Sequence, residues 1–169
     1  LLLLAQAEHG DAHTRLERVD LAAVALHCVE QLAALADRRR IDLGLEVPQE
    51  TAGTVVLAQP ALLDALVTNL LDNALRYTQE GGRVTLGVHL ADAGVELTVE
   101  DNGPGIPAEV RERVFERFYR VSQDTEGTGL GLAIVQEIAR AFGAPVQLAA
   151  NPHEPHGLLV TVRFPAAGA

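Results

Sequence analysis

An α+β fold, with a mixed sheet covered on one face by helices, is predicted by three features of the sequence. Stretches with an apolar residue every three to four positions are interspersed with stretches in which apolar and polar residues alternate, in no regular order. Apolar residues make up 48% of the 169 but aromatics only 4%, so the core is built from Leu, Val, Ile and Ala, which suits helices laid on a sheet. Pro48, Gly81-Gly82 and Gly94 punctuate the changes of period.

The elements follow in order. Leu1 to Glu8 is apolar and helix-favouring and runs into Gly10, a helix stop; with nothing nearby to cover it, it is expected to be the end of a longer helix. Asp20 is placed as an N-cap, after which Leu21, Val24, Ala25, Cys28, Val29, Leu32 and Leu35 recur at helical spacing up to the basic run Arg38-Arg39-Arg40. From Ile41 the period falls to two through Leu43, Leu45 and Val47, and 54–57 forms a second short strand. Gln59 to Tyr77 is a strongly apolar helix. Residues 84–90 and 95–99 alternate around the turn at 92–94 and read as an antiparallel hairpin. Pro107 to Arg120 is helix-rich but highly charged, 130–142 is another helix, and 146–149 and 158–164 are the last strands.

Composition excludes several functions. Thirteen Lys and Arg against 23 Asp and Glu give a net charge of −10, which repels nucleic acid and anionic membrane surfaces. Cys28 stands alone, so no internal disulfide forms, which points to a reducing compartment, and no Cys/His spacing suggests a structural metal. No apolar run approaches the roughly 18 residues that cross a bilayer. The sequence holds no methionine and is expected to be a piece of a longer protein.

Three clusters break the rules of their own elements. In the helix Gln59 to Tyr77, Asn69, Asn73 and Arg76 lie on one narrow stripe at the edge of the apolar face. Asparagine is a poor helix-interior residue, and two amide oxygens in a row are hard donors that suit Mg²⁺, with Arg76 placed for a phosphate. Taken alone, a solvated helix face accounts for the stripe as well. The second cluster, Asp101 to Pro107, ends an apolar strand: the carboxylate accepts hydrogen bonds only, so it pairs with the exocyclic amine of adenine and repels the carbonyl of guanine. A plain Asn-Gly-Pro-Gly turn is the other reading. The third, Glu126 to Val135, is a glycine-rich turn feeding a helix, an anion site made of free N–H groups and the helix dipole. It lacks the third glycine of a Rossmann turn, having Leu132 there, and the Gly-Lys-Ser/Thr of a P-loop. Between the last two clusters, Val114 to Arg120 holds Phe115 and Phe118 in a charged context, which suits a mobile flap.

In this order and spacing the clusters resemble the catalytic, ATP-binding domain of a bacterial sensor histidine kinase, of the kind that works with OmpR-type response regulators. Asn69 to Thr78 resembles the family's N box, Asp101 to Gly105 its first glycine box, Phe115 to Phe118 its F box, and Gly127 to Leu132 its second glycine box. The resemblance covers nearly the whole chain. It implies the Bergerat α/β sandwich shared with gyrase and MutL-type ATPases, with residues 1–10 the C-terminal end of a dimerisation helix and 11–169 the catalytic domain.

The resemblance also implies the site. ATP and Mg²⁺ would bind with Asp101 reading the adenine amine, Asn73 ligating Mg²⁺, and Asn69 supporting metal and phosphates. Arg76, often Lys in the family, would meet a phosphate, which makes Asn69, Asn73 and Arg76 the catalytic set. Tyr77, Gly103, Gly105, Ile106 and Phe118 would line the nucleotide, and Gly127, Thr128, Gly129, Leu130, Gly131 and Leu132 would form the lid and phosphate cradle. The implied partners are the histidine-bearing dimerisation domain of the same kinase, homodimeric at full length, and a response regulator. Neither nucleic acid nor direct membrane contact is expected, and the implied location is the cytoplasmic part of an inner-membrane protein.

Two departures stand against the pattern. The stretch from Arg120 to Gly127 is short, so the lid is expected to leave the nucleotide partly exposed. None of the six histidines has the family's phosphoacceptor context; His9 and His13 lie too close to the domain, and His153 and His156, separated by Pro155, are surface residues rather than metal ligands. A serine kinase of the anti-sigma type would lack the F box and the Leu-rich start. A silent nucleotide-binding module would not need Asn73.

Overall fold

The computed structural model describes residues 15–121 and 129–168. Residues 1–10, expected to end a dimerisation helix, and residues 121–126 except Val121, expected to form a short lid, lie outside that range. The order is β1 (Glu17–Asp20), α1 (Leu21–Arg38), β2 (Asp42–Glu46), β3 (Val55–Ala58), α2 (Pro60–Tyr77), β4 (Arg83–Ala91), β5 (Gly94–Asp101), α3 (Gly131–Ala141), β6 (Val146–Ala150) and β7 (Leu158–Pro165). Short 3-10 turns occur at Thr51–Thr54, Ala108–Val110 and Arg113–Phe115.

The main sheet has the order β2-β4-β5-β7-β6, with β2 parallel to β4 and the other pairs antiparallel. Alternation makes it two-faced. Val84, Leu86, Val95, Leu97, Val99, Val160 and Val162 point into the core, while Thr85, Glu96, Thr98, Glu100 and Arg163 lie on the other face. Among the described residues the helices lie on the apolar face, as the α+β prediction requires. At its centre is α2, whose Leu63, Leu66, Val67, Leu71 and Leu75 are fully buried. Truncating any one of these leucines to alanine removes about 2–5 kcal/mol, transfer and cavity costs together.

Local chemistry fixes the helix ends. The Asp20 carboxylate accepts from the N–H groups of Ala22 at 3.0 Å and Ala23 at 3.4 Å, so the predicted cap forms, and it also accepts from Thr54 Oγ1 at 2.7 Å. At the other end of α1, Arg39 donates to the carbonyls of Leu75 and Arg76 at 3.1 and 3.3 Å. A cation from the basic run thus caps the C-terminus of α2 and ties the two helices together.

The structure differs from the sequence reading in three places. A strand, β1, occupies what reads as a polar link; it pairs antiparallel with β3 in a separate two-stranded sheet. The two strands after α1 therefore part company, β2 joining the main sheet and β3 the small one. Pro107 to Arg120 is not a continuous helix but two 3-10 turns, because Val114 is its sole buried side chain and no apolar stripe holds a longer helix against the core.

Candidate functional site

The stripe on α2 survives folding as a stripe. Asn69, Asn73 and Arg76 are half-buried, at the border of the helix face that enters the core. Asn69 Nδ2 donates back to the carbonyl of Ala65 at 2.7 Å, which turns its Oδ1 away from its own helix. That oxygen and Asn73 Oδ1 converge on the start of α3: a Cβ on Gly131 would stand 3.8 Å from the first and 3.9 Å from the second. Two amide oxygens thus face one point at a helix N-terminus, where free N–H groups and the dipole favour an anion.

Asp101, the last residue of β5, is buried at 7% exposure. Its Oδ1 accepts from the N–H of Gly103 at 3.0 Å and of Leu158 at 3.3 Å, which leaves Oδ2 for a further donor. Burial raises its pKa above the ordinary value; the two N–H donors counter this in part, and the neighbouring Glu100 charge adds to it.

A cavity of about 360 Å³ joins these parts. Of the residues expected to bind nucleotide, Asn73, Tyr77, Asp101, Gly105, Ile106, Gly129, Gly131 and Leu132 line it. Its volume falls in the range of small-ligand sites, about 300–1,000 Å³. Asn69 faces it across Gly131, and Gly103 sits beneath Asp101, where a Cβ would stand 3.2 Å from Oδ1. Leu130 is half-buried at the N-cap position of α3. Arg76 pairs with Asp72 one turn back at 2.9 Å and does not line the cavity. Phe118 is 68% exposed. Its N–H donates to the carbonyl of Gly129 at 3.1 Å, and both residues have positive φ, 66° and 73°, so the chain closes on itself beside the cavity. Gly127 and Thr128 lie outside the described residues.

Some of the wall was not singled out from the sequence. Tyr119 and Arg120 line the cavity from the charged segment, and Arg113 lies 4.5 Å over the ring of Tyr119. Leu158 closes the far side, and the buried Asn151 stands behind Asp101, donating to its backbone carbonyl at 2.7 Å. The phenylalanine-rich context gave a signal for the first group. Nothing local marks Asn151 and Leu158: Leu158 reaches Asp101 through the pairing of β5 with β7, and Asn151 through the further pairing of β7 with β6.

The residues present fit Mg²⁺ held largely by a nucleotide. Among the described residues no group of three or more His, Cys, Asp or Glu side chains is placed to hold a metal ion, so the donors offered are the two amide oxygens. That is the sparse protein share which Mg²⁺ takes when phosphates and water supply the rest.

Residues 58–168 match the family of histidine kinase-, DNA gyrase B-, and HSP90-like ATPases. The chain is 38% identical over 136 residues to the adaptive-response sensory kinase SasA of Nostoc sp. (strain PCC 7120 / SAG 25.82 / UTEX 2576), covering 77% of this chain and 33% of SasA. Over 151 residues it is 40% identical to the swarming motility regulation sensor protein RssA of Serratia marcescens, covering 88% of this chain and 31% of RssA. The chain therefore spans about a third of the length of these curated relatives. Among solved structures it is similar to a mycobacterial sensor histidine kinase, MprB, with a TM-score of 0.77 and 32% identity over 91% of this chain and 99% of that one. It is also similar to full-length ShkA in complex with AMPPNP, with a TM-score of 0.83 and 30% identity over 99% of this chain and 35% of that one. No helix among the described residues is long and apolar enough to cross a membrane.

Proposed function

The chain belongs to the histidine kinase-, DNA gyrase B-, and HSP90-like ATPases, as a catalytic ATP-binding domain of the sensor histidine kinase kind, and from that premise we propose that it transfers the γ-phosphoryl of Mg-ATP to a histidine imidazole on the dimerisation domain of the same kinase. The phosphoryl group would then pass to an aspartate of a response regulator in two-component signalling. The observation that carries this reading is the convergence, in one cavity, of a buried acceptor-only carboxylate and the Asn73 amide at a helix N-terminus, where the Asn69 oxygen faces the same glycine.

The adenine would lie against Tyr77, Ile106 and Leu132 with its exocyclic amine on Asp101 Oδ2. Gly103 and Leu158 hold the carboxylate in the plane that reads it. The triphosphate would run toward Gly131, where the first N–H groups of α3 would donate to its oxygens. Asn73 and Asn69 would hold Mg²⁺, which when bound neutralises phosphate charge and aligns the γ-phosphoryl. Arg76, tethered by Asp72, would support the phosphate side through its charge. Orientation and charge stabilisation then supply most of the rate, and the attacking nitrogen comes from the dimerisation domain.

This assigns ATP binding to the chain and the phosphoacceptor to another segment. Labelled ATP incubated with this chain and a fragment carrying the kinase's dimerisation helices should label the fragment, and the chain alone should stay unlabelled. A stable phosphohistidine on the isolated chain, or no transfer to the fragment, would overturn the proposal. For the location, we propose a cytoplasmic part of a membrane-anchored kinase.

A further inference from the structure

We propose that Asn151 is a positioning residue for base recognition: it locks the backbone of Asp101 from behind, so that the carboxylate presents one fixed oxygen to the cavity. The inference rests on the reading of Asp101 as the adenine contact.

The geometry begins at the end of the β5–β7 ladder. Its last register pair is Glu100 with Leu159, and the next step would place Asp101 opposite Leu158. There the ladder changes character. The N–H of Leu158 turns to the Asp101 side chain, and the Asp101 carbonyl is taken by Asn151 Nδ2 at 2.7 Å. Asn151 thus replaces a strand partner where the Asp101 side chain leaves the sheet and enters the cavity.

Its amide has one workable orientation. Oδ1 accepts from the N–H of His153 at 2.8 Å while Nδ2 faces the Asp101 carbonyl, so a flipped amide would set oxygen against oxygen and N–H against N–H. The backbone N–H of Asn151 donates to Gly157 at 3.1 Å and closes the loop. That loop lies flat on the Asp101 peptide: a Cβ on Gly157, whose φ is +131°, would stand 1.9 Å from the Asp101 carbonyl oxygen. On the open face of the sheet, His153 Nδ1 lies 3.0 Å from Glu100 Oε1, which fastens the loop to β5 again. Asn151 is buried at 8% exposure and touches no part of the cavity, so its influence on a ligand passes through Asp101.

The test compares ATP with inosine triphosphate, in which the 6-amine becomes a carbonyl oxygen, by titration calorimetry on the full chain. The quantity read is the ratio of the two affinities, beside the unfolding temperature. Asp101→Asn keeps an oxygen for Gly103 and Leu158 and turns an NH₂ toward the base, so the ratio should collapse or invert. Asn151→Ala should shrink the ratio by about tenfold, the loss expected when a charge-assisted contact is no longer held in line. Asn151→Ser retains a donor on a shorter stem and should recover part of the ratio; it gives the same reading if the alanine variant fails to fold. Equal losses of ATP and inosine triphosphate affinity in the Asn151 variants, with Asp101→Asn still collapsing the ratio, would overturn the positioning role and leave the base contact standing. An unchanged ratio in Asp101→Asn would overturn the base contact and the positioning role with it.

Discussion

At the Asp101 end of the cavity the neighbouring groups are tied to one another: the carboxylate holds two N–H groups, its carbonyl is bound by Asn151, and Gly157 is pressed on its peptide. At the Asn73 end the side chains are half-buried, the amide oxygens face Gly131 at ordinary contact distance from a Cβ there, and the adjoining chain includes a Phe118 to Gly129 backbone hydrogen bond. The contrast suits the two halves of the proposed ligand. A flat base is told from its isosteres by a fixed acceptor, where a small misplacement costs selectivity. A triphosphate with its metal must be gripped, aligned and released, which asks for ligands with room around them.

The largest effect is expected at the open end. Asn73→Ala should lower phosphoryl transfer to the dimerisation helices by about a hundredfold or more, as removal of a group that holds charge in the transition state does. Because Asn73 is half-buried on a helix edge, thermal unfolding should shift little. A comparable loss of transfer and of stability would erase the distinction between the two ends. At the tied end the order reverses. Gly157→Ala places a methyl group inside the Asp101 carbonyl at a φ that L-residues avoid, and should cost about 3 kcal/mol of stability, measured by denaturant unfolding.

Gly131→Ala sharpens the contrast further. Its Cβ would make ordinary contacts at 3.8 and 3.9 Å, so the fold should be unchanged or gain up to about 1 kcal/mol from alanine's better helix propensity. Yet the methyl group fills the point on which both amide oxygens converge, and transfer should drop about tenfold. The smallest effect concerns charge. Burial raises the Asp101 pKa in the folded state, so its ionised form opposes folding above that pKa, and the penalty is lost as pH falls toward the ordinary value of 3.8. Without ligand, Asp101→Asn should therefore be more stable than the native chain at neutral pH, and the advantage should shrink as pH falls toward the ordinary carboxylate value. An advantage that grows on acidification would contradict the sign.

The two ends also differed in how far the sequence revealed them. Asn69, Asn73 and Asp101 were legible because each residue type is out of place in its element: amides inside a helix, a carboxylate at the end of an apolar strand. The helix α2 was legible because its period is unbroken over five turns. The rear of the Asp101 end was not, since Asn151 is 50 residues away and is brought there by strand register, which no local pattern encodes. Strand β1 hid for a related reason: Glu17-Arg18-Val19-Asp20 holds one apolar residue, and its pairing with β3 comes from the cap at Asp20 and the Thr54 contact. Residues 107–120 misled in the other direction. Their Glu and Arg favour helix intrinsically, but with Val114 alone buried there is no face to hold one in place.

A crystal structure of this chain with a non-hydrolysable ATP analogue and Mg²⁺ would show the direction in which the nucleotide lies. The base amine should lie about 3 Å from Asp101 Oδ2, with the phosphates beside Asn69, Asn73 and Gly131. A base seated at the Gly131 end, or a nucleotide bound outside this cavity, would contradict it.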